Sequence, residues 1–136
     1  MKKRTLRAIA CAVVMTLTLA VSACGSKKTV EDYYNDPAVK AVFEEEMKAV
    51  EGQGMSVSID VKENDFTMSY QYDAGLELPE DAGAQLEAAL DANASVFEEQ
   101  AKGIDEAIGQ TGACTVKVRY LDADGNVIAE KSFKAK

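Results

Sequence analysis

Strict alternation of apolar and polar residues in four short segments constrains this chain more than any other feature. Met55, Val57, Ile59 and Val61 alternate with Ser56, Ser58, Asp60 and Lys62, and Phe66, Met68, Tyr70 and Tyr72 alternate with Thr67, Ser69, Gln71 and Asp73. Successive side chains of a strand point to opposite faces of a sheet, so each segment reads as a strand with one buried and one solvated face. Glu63, Asn64 and Asp65 join the two as a hairpin. The pattern returns in Cys114–Tyr120 and, after the turn Asp122-Ala123-Asp124-Gly125-Asn126, in Val127–Lys134. One-sided sheets of this kind are usually antiparallel, and they require a second layer over the apolar face.

Two longer segments have the period of that second layer. Thr29 opens a capping pattern that reaches Asp32, and Asp36 followed by Pro37 offers another helix start. Val39, Val42, Phe43, Met47 and Val50 then recur at helical spacing over Pro37–Glu51, with Glu44, Glu45, Glu46 and Lys48 on the other side, and Gly52 and Gly54 stop the helix. Leu86, Leu90, Phe97, Ala101, Ile104 and Ile108 mark one long amphipathic helix over Glu80–Ile108, closed by Gly109–Gly112. The expected fold is therefore α+β: a two-layer sandwich of order αββαββ, with a four-stranded antiparallel sheet and two helices on one face. The similarity of its halves hints at a tandem αββ repeat. Ser56, Ser58, Asp60, Thr67, Ser69, Gln71, Thr115, Lys117 and Arg119 should form the outer, uncovered face.

The first part of the chain has a different character. Lys2, Lys3, Arg4 and Arg7 precede Ala8–Ala23, which holds no charged residue. A basic start and a short apolar run are the parts of an export signal, and 16 residues fall short of the roughly 20 that span a bilayer. With Val21-Ser22-Ala23-Cys24 following, the segment resembles a bacterial lipoprotein precursor. That resemblance implies a signal peptide over residues 1–23, a diacylglyceryl group on Cys24, a tether over 24–29 and a single domain over 30–136. Two acyl chains, each methylene contributing about 0.8 kcal/mol, anchor a protein stably where one chain binds reversibly. The implied location is the extracytoplasmic face of the cell membrane, with the tether after Cys24 spanning at most about 17 Å. The acidic, tyrosine-containing segment Val30–Pro37 is also similar to that of uncharacterised small lipoproteins of Gram-positive gut bacteria, a resemblance that implies location and fold type and supplies no catalytic residue.

Charge and the missing residue types narrow the chemistry. The net charge of −8 excludes a nucleic-acid binder that works by neutralising phosphates. Without histidine, the usual general base, the commonest metal ligand and every imidazole triad are absent. On the lipoprotein reading Cys11 leaves with the signal and the sulfur of Cys24 carries lipid. Cys114 then remains alone, with no disulfide partner, as a small apolar residue of a buried strand face. Asp122-Ala123-Asp124-Gly125-Asn126 has some features of a calcium loop, but with Gly125 at the sixth position Tyr120 and Lys131 fall where acids are required, so a hairpin turn explains it. The runs Glu44–Glu46 and Glu98–Glu99 read as solvated helix surface, since adjacent helical residues do not face each other. Tyr70, Tyr72 and Tyr120 fall on the inner face, which leaves Tyr33 and Tyr34, near the tether, as candidate contact residues.

Acids concentrate in the helical segments. Residues 31–51 hold seven against two lysines and residues 76–109 hold nine against one, while the hairpins are nearly neutral. A partner would meet least repulsion at the sheet, where Ser58, Ser69, Lys117 and Arg119 are the candidate binding residues. The expectation is a non-catalytic binding or interaction module at the cell surface, with an envelope protein or peptide as partner and with no cofactor, metal or nucleic acid. A solute-capturing receptor, or less readily a hydrolase, is the alternative, and it requires a concave site with convergent polar groups.

Overall fold

In the computed structural model, which describes residues 29–51 and 54–135, helices and strands follow one another as ααββααββ. The two capping signals near the start produce two helices. Thr29 Oγ1 accepts the Asp32 N–H at 3.1 Å and opens α1, Val30–Tyr34. Asp36 Oδ1 accepts the Ala38 N–H at 2.9 Å and, with Pro37 in the first turn, opens α2, Pro37–Val50. Gly52 lies outside the described residues.

The helix expected over Glu80–Ile108 is two, α3 (Ala82–Ala92) and α4 (Ala94–Ile108), joined at Asn93. Asn93 adopts φ −106° and ψ 13°, and its side-chain amide donates to the Ala89 carbonyl at 2.8 Å. Asparagine competes in this way for backbone groups that a helix would otherwise use, and the ladder breaks there. Gly109, at φ 70°, closes α4 in the left-handed conformation.

The strands are β1 (Met55–Lys62), β2 (Asp65–Tyr72), β3 (Thr115–Leu121) and β4 (Val127–Lys134), in sheet order β1-β2-β3-β4. β1 and β2 are antiparallel, as are β3 and β4, but β2 and β3 run parallel, from Asp65 beside Thr115 to Gln71 beside Leu121. The sheet is mixed, which corrects the all-antiparallel expectation. The cause is the crossover. α3 and α4 together carry the chain from the end of β2 back to its beginning, where the Thr115 N–H donates to the Asn64 carbonyl at 2.9 Å. A helical return of that kind is what parallel neighbours need. It also corrects the repeat: a tandem copy laid beside the first would run β3 antiparallel to β2, whereas here the two hairpins turn with opposite hand beneath one helical layer.

That layer covers a single face. Phe43 and Phe66 meet with ring centroids 5.1 Å apart, Tyr34 joins them, and Phe97 stacks on Phe133 at 4.9 Å. Val42, expected in the buried stripe of α2, is 36% exposed. Ring stacking continues along the sheet through Tyr70, Tyr120 and Tyr72. The start of α1 is fastened to the β1–β2 turn. Val30 N–H donates to Asn64 Oδ1 (3.1 Å), Glu31 N–H to the Glu63 carbonyl (2.8 Å), and Glu63 N–H to Glu31 Oε2 (2.9 Å). Glu63 sits at φ 55°, a conformation costly for a residue with a Cβ, and these bonds hold both of its backbone polar groups in place.

Candidate functional site

The uncovered face of the sheet is laid out in cross-strand rows. Register places Ser58, Ser69, Arg119 and Glu130 side by side across all four strands, and Asp60, Thr67, Lys117 and Ser132 in the next row. The four residues singled out from sequence, Ser58, Ser69, Lys117 and Arg119, are thus neighbours. Arg119 Nε lies 2.8 Å from Glu130 Oε2, and Lys117 Nζ lies 3.8 Å from Glu130 Oε1. Sequence reasoning missed Glu130. Its position in the β4 alternation was legible, but only the β3–β4 register sets it opposite Arg119. These side chains are more than a third exposed, so solvent screens the pairs and they orient the cations more than they stabilise the fold. Hydroxyls interleaved with paired charges on a flat surface suit hydrogen bonding to another flat surface. The arrangement pairs no nucleophile with a base.

The most closely held carboxylate lies elsewhere. Asp105 of α4 is 2% exposed, and its oxygens accept three backbone N–H groups: Gly112 at 2.9 Å, Ala113 at 3.1 Å and Cys114 at 2.7 Å. This clamp shapes the entry to β3. Cys114 beside it is fully buried; burial first, and then the neighbouring Asp105 and Asp65 carboxylates, push its thiol up to about 12. A thiol so protonated is no nucleophile at neutral pH, in keeping with its expected packing role.

Inside the core, burial raises the hydroxyls of Tyr70 and Tyr72, and it pushes Tyr120 up to about 12. The Tyr72 hydroxyl, the Gln100 amide and Glu46 Oε2 are buried without a hydrogen-bond partner. Tyr33 corrects the expectation that it offers a contact surface: it is 0% exposed, with its hydroxyl pushed up to about 12 by burial and then by Asp36. Tyr34 is half-buried against Phe43 and Phe66, with the Lys40 ammonium 5.7 Å from its ring. Both were expected as contact residues because they lie near the tether and outside the alternation of the strands; α1 instead buries Tyr33 wholly and Tyr34 in part.

At the β3–β4 turn Asp122 Oδ1 accepts the N–H groups of Asn126 (2.8 Å) and Asp124 (3.0 Å), and Gly125 stands at φ 86°. The Asn126 backbone bond is the foremost cause holding the Asp122 carboxyl below its usual range. Its oxygens are engaged as in a turn. Among the described residues no cluster of three or more His, Cys, Asp or Glu is placed to hold a metal, and no helix is long and apolar enough to cross a membrane. A shallow depression on α4, lined by Ser95, Glu98, Glu99 and Lys102, brings no catalytic grouping together. Residues 1–28, with the expected signal and Cys24, lie outside the described residues.

Comparison with known proteins matches no curated protein and no solved structure. A family model described as Domain of unknown function (DUF4854) matches residues 30–133, which takes in α1 to α4 and, among the described residues, all but the last residue of the sheet. The chain belongs to the DUF4854 family.

Proposed function

We propose that the protein is a lipid-anchored, extracytoplasmic binding module that presents the outer face of its sheet to an envelope protein or peptide. The observation that carries this reading is the row Ser58, Ser69, Arg119 and Glu130, with Lys117 beside it, on the face opposite the helices. The acids of the helical layer favour the same face, because an anionic partner meets less repulsion at the nearly neutral sheet. The basic start, apolar run and Cys24 support anchoring through a diacylglyceryl thioether, with residues 1–23 removed. Since α1 is fastened to the β1–β2 turn, a tether at Cys24 would hold that end of the sheet toward the bilayer and the β3–β4 turn away from it.

The test is capture of the tagged full chain from membranes of its own cells, with mass spectrometry of both the chain and whatever accompanies it. The expected chain begins at Cys24 and carries diacylglyceryl, and a stoichiometric companion is lost when Ser58→Ala, Ser69→Ala and Arg119→Ala are combined. An intact Met1 without lipid overturns the anchoring. A companion retained by the triple variant overturns the assignment to this face.

A further inference from the structure

The two edges of the sheet are built differently. β4 is guarded: Ile128 is an extra residue in its register with β3, Gly83 of α3 lies against the Ile128 carbonyl, and the inward-facing Lys131 is ion-paired with Asp91 of α3. Bulges, covering helices and inward charges are the devices by which edge strands avoid pairing with another chain. β1 lacks two of the three: α1 and α2 pack against it, but it has neither a bulge nor an inward charge. Its register with β2 is unbroken from Met55 opposite Tyr72 to Lys62 opposite Asp65, and it holds no proline and no inward charge.

Ile59 and Lys131 are the two ends of a single inner row, Ile59, Met68, Val118 and Lys131. Ile59 and Val61 are only half-buried, whereas their β2 neighbours Met68 and Phe66 are fully buried. The bond from Asp73 N–H to the Gly54 carbonyl continues the β1–β2 ladder, and hydrogen-bonded pairs in such a ladder recur every second residue. The even-numbered residues of β1 therefore address β2. The N–H and C=O groups of Val57, Ile59 and Val61 point to the other side, where the described residues place no strand.

We propose that this edge pairs with the same edge of a second copy of the chain, antiparallel about a twofold axis at Ile59. In that register Ile59 stands opposite its own counterpart and Val57 opposite Val61, so the inner row is apolar throughout. On the outer face Ser58 stands opposite Asp60 and Ser56 opposite Lys62. No like charges are directly opposed, and each Asp60 carboxylate gains a hydroxyl donor. The residues with unused backbone groups are the ones that meet, as an antiparallel ladder requires. It is this self-match of β1 that favours a second copy over an unrelated strand. The pairing makes one eight-stranded sheet with both helical layers on the same side, and it brings the acidic α1 and α2 of the two copies near each other. Salt therefore strengthens it, where a partner held by opposite charge would be released. The proposal rests on the backbone edge of β1 and not on the outer-face reading; Ser58 takes part in both, and the crosslink from position 56 and the variants Ile59→Lys and Val61→Pro, which leave Ser58 in place, test the pairing separately.

The test uses the full chain in cells, with a benzophenone amino acid in place of Ser56 on β1 or, as control, Ser132 on β4. Irradiation is expected to give an adduct of twice the chain mass from position 56, roughly tenfold above that from 132, as an open edge against a guarded one predicts. Ile59→Lys, which copies the guard of Lys131, and Val61→Pro, which removes an outward N–H without touching a bond to β2, should each abolish the adduct while the purified variant still melts cooperatively. In isolated membranes the yield should rise with salt. The proposal is overturned if no adduct forms, if both edges give it equally, if the adduct has another mass, or if it survives in a folded variant. Should neither variant fold, the contrast between positions 56 and 132 and the direction of the salt effect decide.

Discussion

Asp105 shows how much a single carboxylate can organise once three N–H groups converge on it. Asp105→Ala leaves the buried Cys114 N–H without an acceptor and those of Gly112 and Ala113 only partly reached by water, so the domain should lose about 2 kcal/mol in urea denaturation. Asp105→Asn, which keeps the two bonds at Oδ1, should lose less. A stable Ala variant would show that the Gly112–Cys114 segment needs no such clamp. The same experiment reports on Cys114, which should resist maleimide at neutral pH in the wild type and react once the clamp is removed. In sequence Asp105 was one acid among nine in its segment. Only the fold of Gly109–Gly112 brings the start of β3 back to it, because hydrogen bonds between residues seven to nine apart follow no helix or strand period. Cys114 was legible, since an apolar residue at the head of an alternating segment takes the inner face.

Elements were legible where their signals were local. The strands lie within one residue of their expected bounds, since alternation is imposed by the pleat itself. Helix breaks were less legible. Asn93 interrupts what the apolar spacing presents as continuous, because the spacing records which side is buried and not whether the backbone bonds are complete. The packing of α3 on β4 was not visible at all. It depends on Gly83, where a Cβ would lie 3.0 Å from the Ile128 carbonyl oxygen. Gly83→Val should force α3 away from β4, with a loss of about 2 kcal/mol despite the better helix propensity of valine. Thermal melting would reveal it, and an unchanged midpoint would mean that the bulge at Ile128 can yield.

At the scale of the whole molecule the tyrosines of the inner face link stability to alkaline pH. Free tyrosine ionises near 10, whereas burial pushes Tyr33 and Tyr120 up to about 12 and raises Tyr70 and Tyr72 as well. Above pH 10 the unfolded chain releases protons that the folded chain still binds, so stability is intact below 10 and is lost as pH rises toward 12. Phenolate absorbance should appear in one cooperative step together with loss of helical circular dichroism. A gradual rise near pH 10 with the fold intact would show the tyrosine stack to be hydrated. By itself the sequence determined which strand residues face inward, that helices cover one side of a sheet, and that Ser58, Ser69, Lys117 and Arg119 share the other, because alternation and helical spacing are written in neighbouring residues; it misplaced Val42 and Tyr33, which lie where those patterns say least. Only the tertiary structure decided that β2 and β3 run parallel, that Glu130 meets Arg119, and that one edge is guarded while the other is open. Strand direction, register and edge protection depend on where a long crossover returns the chain, and alternation reads the same in either direction.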